Sequence, residues 1–549
     1  DLVKQVPNLT FTKTNFTGYS IQIRGIGTQA ISVATDPAVA VAFNDTPFIR
    51  NHFFEQEFYD LSQVEVLRGP QGTLYGRNAT AGVVNVTSAK PTDQFEAMAS
   101  GDIGNYKNRR FEGMINLPIV GDKLDLRVAG EWTKRDGYSF NETTGQQIDG
   151  RDLWSGRVTL GWKPASNVQT YLIWEHFQEN DDRLRSGKQL CKTDPGPESI
   201  DGVAVPPARG AAFAVNASYF SQGCLPSSLY SNDAFGVPNG FSLPFVTGAS
   251  FEGLLNNNVD PYSQTTQSTN LRDIQSAIEP KYLAKNDTVE FNASWNVTPE
   301  LTFYSDTGYN RDFLWSTEDY NRFDTSPGIF LPGAGGNLAR SAYVGDNGVF
   351  CDPQLGCSDR LVVQDLATEH AWQLNHEFRL ASNFSGPLNF SVGANYMHYE
   401  TEESYYVFSN TFTMISLNNV GCDQAYVPGV TNNLYCLPNG RNYPFFKLAD
   451  SIPTESPQYV DPNPITNLDN QGHNYFLSQN PYYLNSYAGF GEAYYDVTQD
   501  LKLTAGLRWT DDEKHFPEIP SQLLAAGYGY PGDGEVNQSW HKWTGRFVA

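Results

Sequence analysis

The stretch Asp60-Leu61-Ser62-Gln63-Val64-Glu65-Val66-Leu67-Arg68-Gly69-Pro70-Gln71-Gly72-Thr73-Leu74-Tyr75-Gly76-Arg77, continued by Asn78-Ala79-Thr80-Ala81-Gly82-Val83-Val84-Asn85-Val86, decides how the rest of the chain is read. Val64 to Leu67 and Gly82 to Thr87 read as short buried strands. Between them, Gly69-Pro70 and Gly72 to Gly76 supply bends that bulky residues resist. A phosphate-loop reading of these glycines is weak, because no Gly-Lys-Ser/Thr follows. Upstream, Ser20-Ile21-Gln22-Ile23-Arg24-Gly25-Ile26-Gly27 and Asp36-Pro37-Ala38-Val39-Ala40-Val41 share this texture of short apolar runs and turns.

Outward from this block the pattern changes. From Gln94 the chain shows period-2 segments, such as Val289, Phe291, Ala293, Trp295 and Val297 alternating with Glu290, Asn292, Ser294 and Asn296. Leu124 to Trp132, Leu388 to Tyr396 and Leu501 to Trp509 repeat it. About twelve strands are expected, near 94–103, 108–117, 123–134, 154–163, 168–178, 284–297, 301–315, 367–382, 387–400, 484–497, 501–510 and 540–549. Their connections alternate between tight turns (118–122, 164–167, 298–300, 383–386, 498–500) and long segments (135–153, 179–283, 316–366, 401–483, 511–539). A soluble sandwich tolerates one or two such insertions, whereas strict alternation is the mark of a membrane barrel with short turns at one end and large loops at the other.

Bulk properties agree. The chain of 549 residues is 13% aromatic yet only 40% hydrophobic. Its longest apolar run, Ala38 to Phe43, is far below the roughly 20 residues of a spanning helix. A net charge of -24 argues against nucleic acid, which needs clustered cations to displace counterions. Cys191 with Cys224, Cys351 with Cys357, and Cys422 with Cys436 fall as local couples, expected to be disulfides in long loops, although six cysteines allow 15 connectivities. They imply an oxidising compartment.

Together, the 60–86 block, the two upstream segments and Lys90-Pro91 resemble the plug domain of TonB-dependent outer-membrane receptors. The resemblance covers the whole chain, strongly over residues 18–91. It implies an all-β transmembrane antiparallel barrel, of 22 strands in the family, with an α+β plug inside its lumen. Here residues 1–91 are expected to be the plug and 92–549 the barrel. The family's TonB-contacting segment and about ten strands are expected to lie outside the sequence given. The plug motif comprises Arg24, Gly25, Glu65, Arg68, Gly69, Pro70, Gly72, Tyr75, Gly76 and Arg77. Its arginines are expected either to pair with lumen-facing carboxylates such as Glu131 and Glu290, or to hydrogen-bond within the plug.

The resemblance further implies an active transporter in the outer membrane of a Gram-negative bacterium, monomeric, surrounded by lipid and driven through TonB by an inner-membrane proton-powered motor. A ferric siderophore or similar iron chelate is the expected substrate, with cobalamin, an oligosaccharide or an aromatic compound as alternatives. The expected apex is the turn 28–35 together with Arg50, Asn51, His52, Phe53 and Phe54, where a cation, an imidazole and two rings would grip an anionic aromatic ligand. For Phe53 and Phe54, packing against the wall is the stronger reading. Arg50 and His52 are expected to face water, so that replacing both by Ala costs the fold little.

No cofactor or metal site is expected. His370 and His376 share a strand face without a third ligand, and the acidic segments 319–324 and 533–535 read as solvated loops before calcium sites. No nucleophile elbow or strong acid pair suggests an enzyme. A porin or adhesin is opposed by the folded block before the first strand. A secreted carbohydrate-active β-protein draws on the aromatic loops and the Asn-x-Ser/Thr triplets, but several of these triplets lie inside expected strands, where glycans would obstruct pairing.

Overall fold

The computed structural model describes residues 2–13, 19–27, 32–205, 217–242, 260–319, 321–330, 344–345, 347–419, 461–469, 475–519, 521 and 534–549. The N-terminal block holds two small sheets. Strands β1 (Leu9–Lys13), β2 (Tyr19–Ile23) and β3 (Ile26–Gly27) form an antiparallel meander. Strands β4 (Val39–Phe43), β5 (Thr46–Phe48), β6 (Leu61–Arg68) and β7 (Gly82–Ser88) form the other in the order β5-β4-β7-β6, with β4 and β7 parallel. Every residue of the VAVAF run of β4 is buried, which suits a central strand covered on both faces. β7 is buried as the sequence leads one to expect, but β6 is not, and Val64 is 40% exposed. The reason is topological: β6 is an edge strand whose one partner is β7.

Twelve further strands form one antiparallel meander in sequence order. They are β8 (Glu96–Gly104), β9 (Asn108–Val120), β10 (Leu124–Arg135), β11 (Arg151–Ala165), β12 (Val168–Asp181) and β13 (Lys281–Thr298). There follow β14 (Leu301–Glu318), β15 (Val363–Ser382), β16 (Leu388–Ser409), β17 (Phe476–Asp496), β18 (Lys502–Glu518) and β19 (Gly534–Val548). All twelve coincide with the strands expected from alternation. Several run further toward the long loops, β16 to Ser409 where 400 was expected. There the alternation fades because both faces turn polar, as at Glu402, Glu403 and Ser404, yet pairing persists with Glu403 opposite Asn480.

The sheet is inside-out relative to a soluble protein. From Asn286 onward the buried residues of β13 are polar, Asn286 (3% exposed), Thr288 (1%) and Glu290 (0%), while Val289 (37%), Phe291 (43%) and Trp295 (46%) face out. Across strands the outward side chains form apolar pairs: Leu172 opposite Phe291, Trp295 opposite Phe303, and Phe303 stacked on Phe378 at 5.8 Å. An apolar exterior and polar interior is what lipid outside and a wet lumen require.

The N-terminal block lies against the polar face. Its hydrophobic core, with Ile23, Val41, Phe43, Phe48, Phe53 and Val86, continues into Met397 and Tyr399 of β16 and Tyr482 and Leu484 of β17. At the long-loop end, the hairpin Ser139–Asn141 with Gln146–Ile148 is joined by Asp273–Ile274, the buried ion pair Arg185–Asp365 ties the β12–β13 loop to β15, and Arg322, paired with Glu318, donates to the Ser186 carbonyl of that loop at 2.6 Å. No helix among the described residues is long and apolar enough to span a membrane.

Candidate functional site at the plug–wall interface

The segment Pro47 to Glu57 climbs to the long-loop end of the wall. Ile49 N donates to Gln373 Oε1 at 2.8 Å, and Gln373 Nε2 donates to Pro47 O at 2.5 Å. Asn51–Phe54 forms a single 3-10 turn, whose Phe53 carbonyl accepts from Asn286 Nδ2 at 3.0 Å. Glu55 pairs with Arg183 at 2.7 Å and accepts from the Tyr282 hydroxyl, both just beyond or at the loop ends of β12 and β13. The apex is therefore strapped to the wall at three points around the lumen.

Arg50 does not face water, contrary to the sequence expectation. It is 7% exposed, and its guanidinium donates to the carbonyls of Ser32, Val33 and Thr35 at 3.0, 3.0 and 3.2 Å, with Glu403 of β16 3.9 Å away. Three converging carbonyls and a nearby carboxylate hold the charge that burial would otherwise disfavour. Phe53 is fully buried, 6.0 Å from both Phe48 and Tyr399, which agrees with the packing alternative. Phe54 is partly buried against Phe58, with ring centroids 4.5 Å apart. The side chains of Asn51 and His52, and residues 28–31 of the expected turn, lie outside the described residues.

Below the apex the plug is held by charge. Asp60 (φ 47°) accepts from Arg127 Nη2 and Nε at 2.6 and 2.9 Å, while Arg157 donates to the Tyr59 and Asp60 carbonyls, both at 2.8 Å. On the far side, Asp36 receives Arg77 at 2.8 Å and Lys514 of β18 at 2.7 Å. Burial raises the Asp36 carboxyl, but Arg77 and Lys514 together outweigh it and hold the group below the usual carboxylate range. Asn44 Nδ2 donates to Glu290 at 2.8 Å, and its Oδ1 accepts from Ser88 and from Lys90 Nζ, each at 3.0 Å. Glu57, buried near Glu131, is pushed up to about 7, first by burial and then by that charge.

The motif arginines divide. Arg77 pairs with Asp36 and reaches Asp512 at 3.6 Å; Arg24 and Arg68 are exposed and have no ion pair among the described residues. Neither Glu131 nor Glu290 serves them: Glu131 takes Arg110 at 2.7 Å, and Glu290 takes Asn44. Strand β9 supplies a neighbouring cation to Glu131, so the wall carboxylate is neutralised within the wall. Gly25, Gly69 and Gly76 have φ of 76°, 95° and 76°, Gly72 opens the helical turn Gly72–Tyr75, and Glu65 and Pro70 flank it in β6 and the following bend.

Disulfides join Cys191 to Cys224 and Cys351 to Cys357; Cys422 and Cys436 lie outside the described residues. No group of three or more His, Cys, Asp or Glu poised for a metal occurs among the described residues. The clasps formed by Asp60 with Arg127 and by Lys514 with Asp36 escaped the sequence reading, because a lone charge on a polar strand face looks like lumen-lining composition.

Residues 1–83 match the family described as TonB-dependent Receptor Plug Domain. The chain is 29% identical over 164 residues to the pesticin receptor of Yersinia pestis, covering 29% of this chain and 23% of that protein. It is 30% identical over 145 residues to the iron-regulated outer membrane virulence protein of Vibrio cholerae, covering 25% and 22%. The chain thus spans under a quarter of the length of these relatives. Its fold is similar to the ferric yersiniabactin uptake receptor of Yersinia pestis (TM-score 0.58, 13% identity, 99% of this chain and 57% of that one). It is similar also to the siderophore receptor PiuA of Acinetobacter baumannii (TM-score 0.54, 12% identity, 100% and 58%). Residues 1–83 are thus similar to the plug domain of TonB-dependent receptors, and the sheet against which they lie shares the fold of these solved receptors.

Proposed function

We propose that this chain belongs to an energised importer of the Gram-negative outer membrane that takes up a ferric siderophore or a similar iron chelate. It is a transporter and not an enzyme, with residues 1–91 as the plug, the remainder as barrel wall, and TonB with its proton-driven motor as the source of work. The observation that carries this reading is the seating of the plug. It fills the polar side of an inside-out sheet and is held by separate clasps, at Asp60, Asp36, Glu55 and Asn44, rather than by a continuous apolar interface alone. A passive pore has no use for an obstructed lumen. Individual ion pairs, by contrast, can be broken and remade as the plug is remodelled.

Iron as cargo is favoured by the relatives, whose names are those of a siderophore receptor and an iron-regulated outer-membrane protein. Within the apex, Asn51 and His52 on the 3-10 turn are proposed to touch the chelate, while Arg50 orders the turn from behind through the carbonyls of residues 32–35. The test is binding of ferric catecholate, hydroxamate and carboxylate chelates, with cobalamin and oligosaccharides as comparators, to purified full-length protein by tryptophan quenching. Saturable binding of one iron chelate, weakened about tenfold by His52→Ala, is the expected result. Saturation by cobalamin or an oligosaccharide alone would reject the iron reading.

A further inference from the structure

We infer that the protein binds a small free oxyanion, of the phosphate or carboxylate type, in the cavity beneath the plug apex, with Arg508 as its principal ligand. The cavity, about 230 Å³, lies between the plug at Tyr75 to Arg77 and the inner faces of β14 to β18.

Arg508 of β18 is 5% exposed, and its Nε donates to Thr510 Oγ1 at 3.2 Å. Among the described residues its terminal nitrogens have neither a hydrogen-bond acceptor nor an ion pair. They lie against the plug backbone where Gly76 has no side chain; a Cβ there would stand 2.7 Å from Arg508 Nη2. A buried guanidinium whose two forward donors are unmet is costly unless an acceptor reaches it.

Arg508 lies over the Phe490 ring at 5.2 Å and feels the charges of Glu377 and Asp512 without a hydrogen bond to either, and the acids that line the cavity have nearer partners. Glu377 lies 3.8 Å from Arg379, Asp306 accepts from Asn292 Nδ2 at 3.0 Å, and Asp45 accepts from Asn85 Nδ2 at 2.7 Å. With Arg77 and Arg379 also on the lining, the unmet donors of Arg508 point to an external acceptor. A planar or tetrahedral oxyanion matches the guanidinium fork, which presents two parallel donors. Size selects a free ion: cavities that hold drug-sized ligands begin near 300 Å³, so a chelate does not fit while the plug is seated. Bridging wall and plug, the bound ion stabilises the seated state by mass action.

The experiment uses purified full-length protein in detergent and inorganic phosphate as the probe, with sodium chloride holding ionic strength constant. Wild type is expected to show a saturable rise in thermal midpoint with phosphate, lost in Arg508→Gln and kept in Arg311→Gln, an exposed arginine on the opposite face of the sheet. Equilibrium dialysis of radioactive phosphate against wild type, expected to give one site per chain, decides the matter should Arg508→Gln fail to fold. No saturable binding in wild type, or equal binding in a folded Arg508→Gln protein, would overturn the assignment.

Discussion

Asp60 of the plug and Arg127 of wall strand β10 meet in a two-pronged ion pair, 2.6 and 2.9 Å long, with both side chains more than nine-tenths buried. Asp60 opens the diagnostic plug stretch, so the same residues that identify the domain also fasten it. Removing one member of such a pair strands the other in a low-dielectric site, at about 3 to 5 kcal/mol when nothing else compensates. Glu96, 3.3 Å from Arg127, compensates in part. Asp60→Asn is therefore expected to destabilise the seated plug by about 2 to 3 kcal/mol. Limited proteolysis of full-length protein should show faster cleavage within residues 1–91, and Asp60→Asn with Arg127→Gln should cost less than the sum of the two.

Arg50→Ala is expected to loosen the apex, not merely to weaken binding. The change removes the Nη1 group shared by the carbonyls of Ser32, Val33 and Thr35 and takes a cation from beside Glu403, an expected loss of about 2 to 4 kcal/mol. Hydrogen exchange should quicken over 32–55 while the wall strands stay protected. Unchanged exchange with lost binding would restore Arg50 to the ligand surface.

Glu57 gives the plug a pH dependence. Its folded-state value of about 7 lies above the unfolded 4.5, so between these values the folded protein binds more protons than the unfolded chain. The contribution is fully present below about pH 4.5 and is lost as pH rises through about 7. In Glu57→Gln the corresponding fall in thermal midpoint between pH 4.5 and 7.5 should vanish. A wild-type midpoint flat over that window, after correction for the other groups, would contradict the assignment.

The loop disulfides should act locally. Cys191–Cys224 closes a segment with a sequence separation of 33, for which chain entropy gives about 3 to 4 kcal/mol. Reduction is expected to open the 182–280 loop to protease while leaving the global midpoint within a few degrees. Non-reducing peptide mapping should recover Cys191 with Cys224 and Cys351 with Cys357 as linked pairs.

The barrel wall was legible because lipid and lumen impose opposite demands on alternate residues, so Val289 and Glu290 announce their faces without any fold knowledge. The plug was legible through turns such as Gly76, where φ of 76° and the approach of Arg508 leave no room for a side chain. What stayed hidden were pairings across the interface. Arg127 and Lys514 sit 67 and 478 positions from Asp60 and Asp36, and no local pattern specifies such partners. Arg50 misled for the same reason: its environment is made by the carbonyls of another segment, which carry no signature in side-chain chemistry.

A plug held by breakable clasps is proposed to serve energised import of chelated iron. That role is tested most directly by uptake of radioactive iron, supplied as the chelate that binds the purified receptor, into cells in which the full-length protein is the sole receptor, with and without TonB. Uptake is expected to require both the receptor and TonB and to collapse when the proton gradient is discharged. Uptake that proceeds equally without TonB would contradict it and return the chain to the class of passive pores.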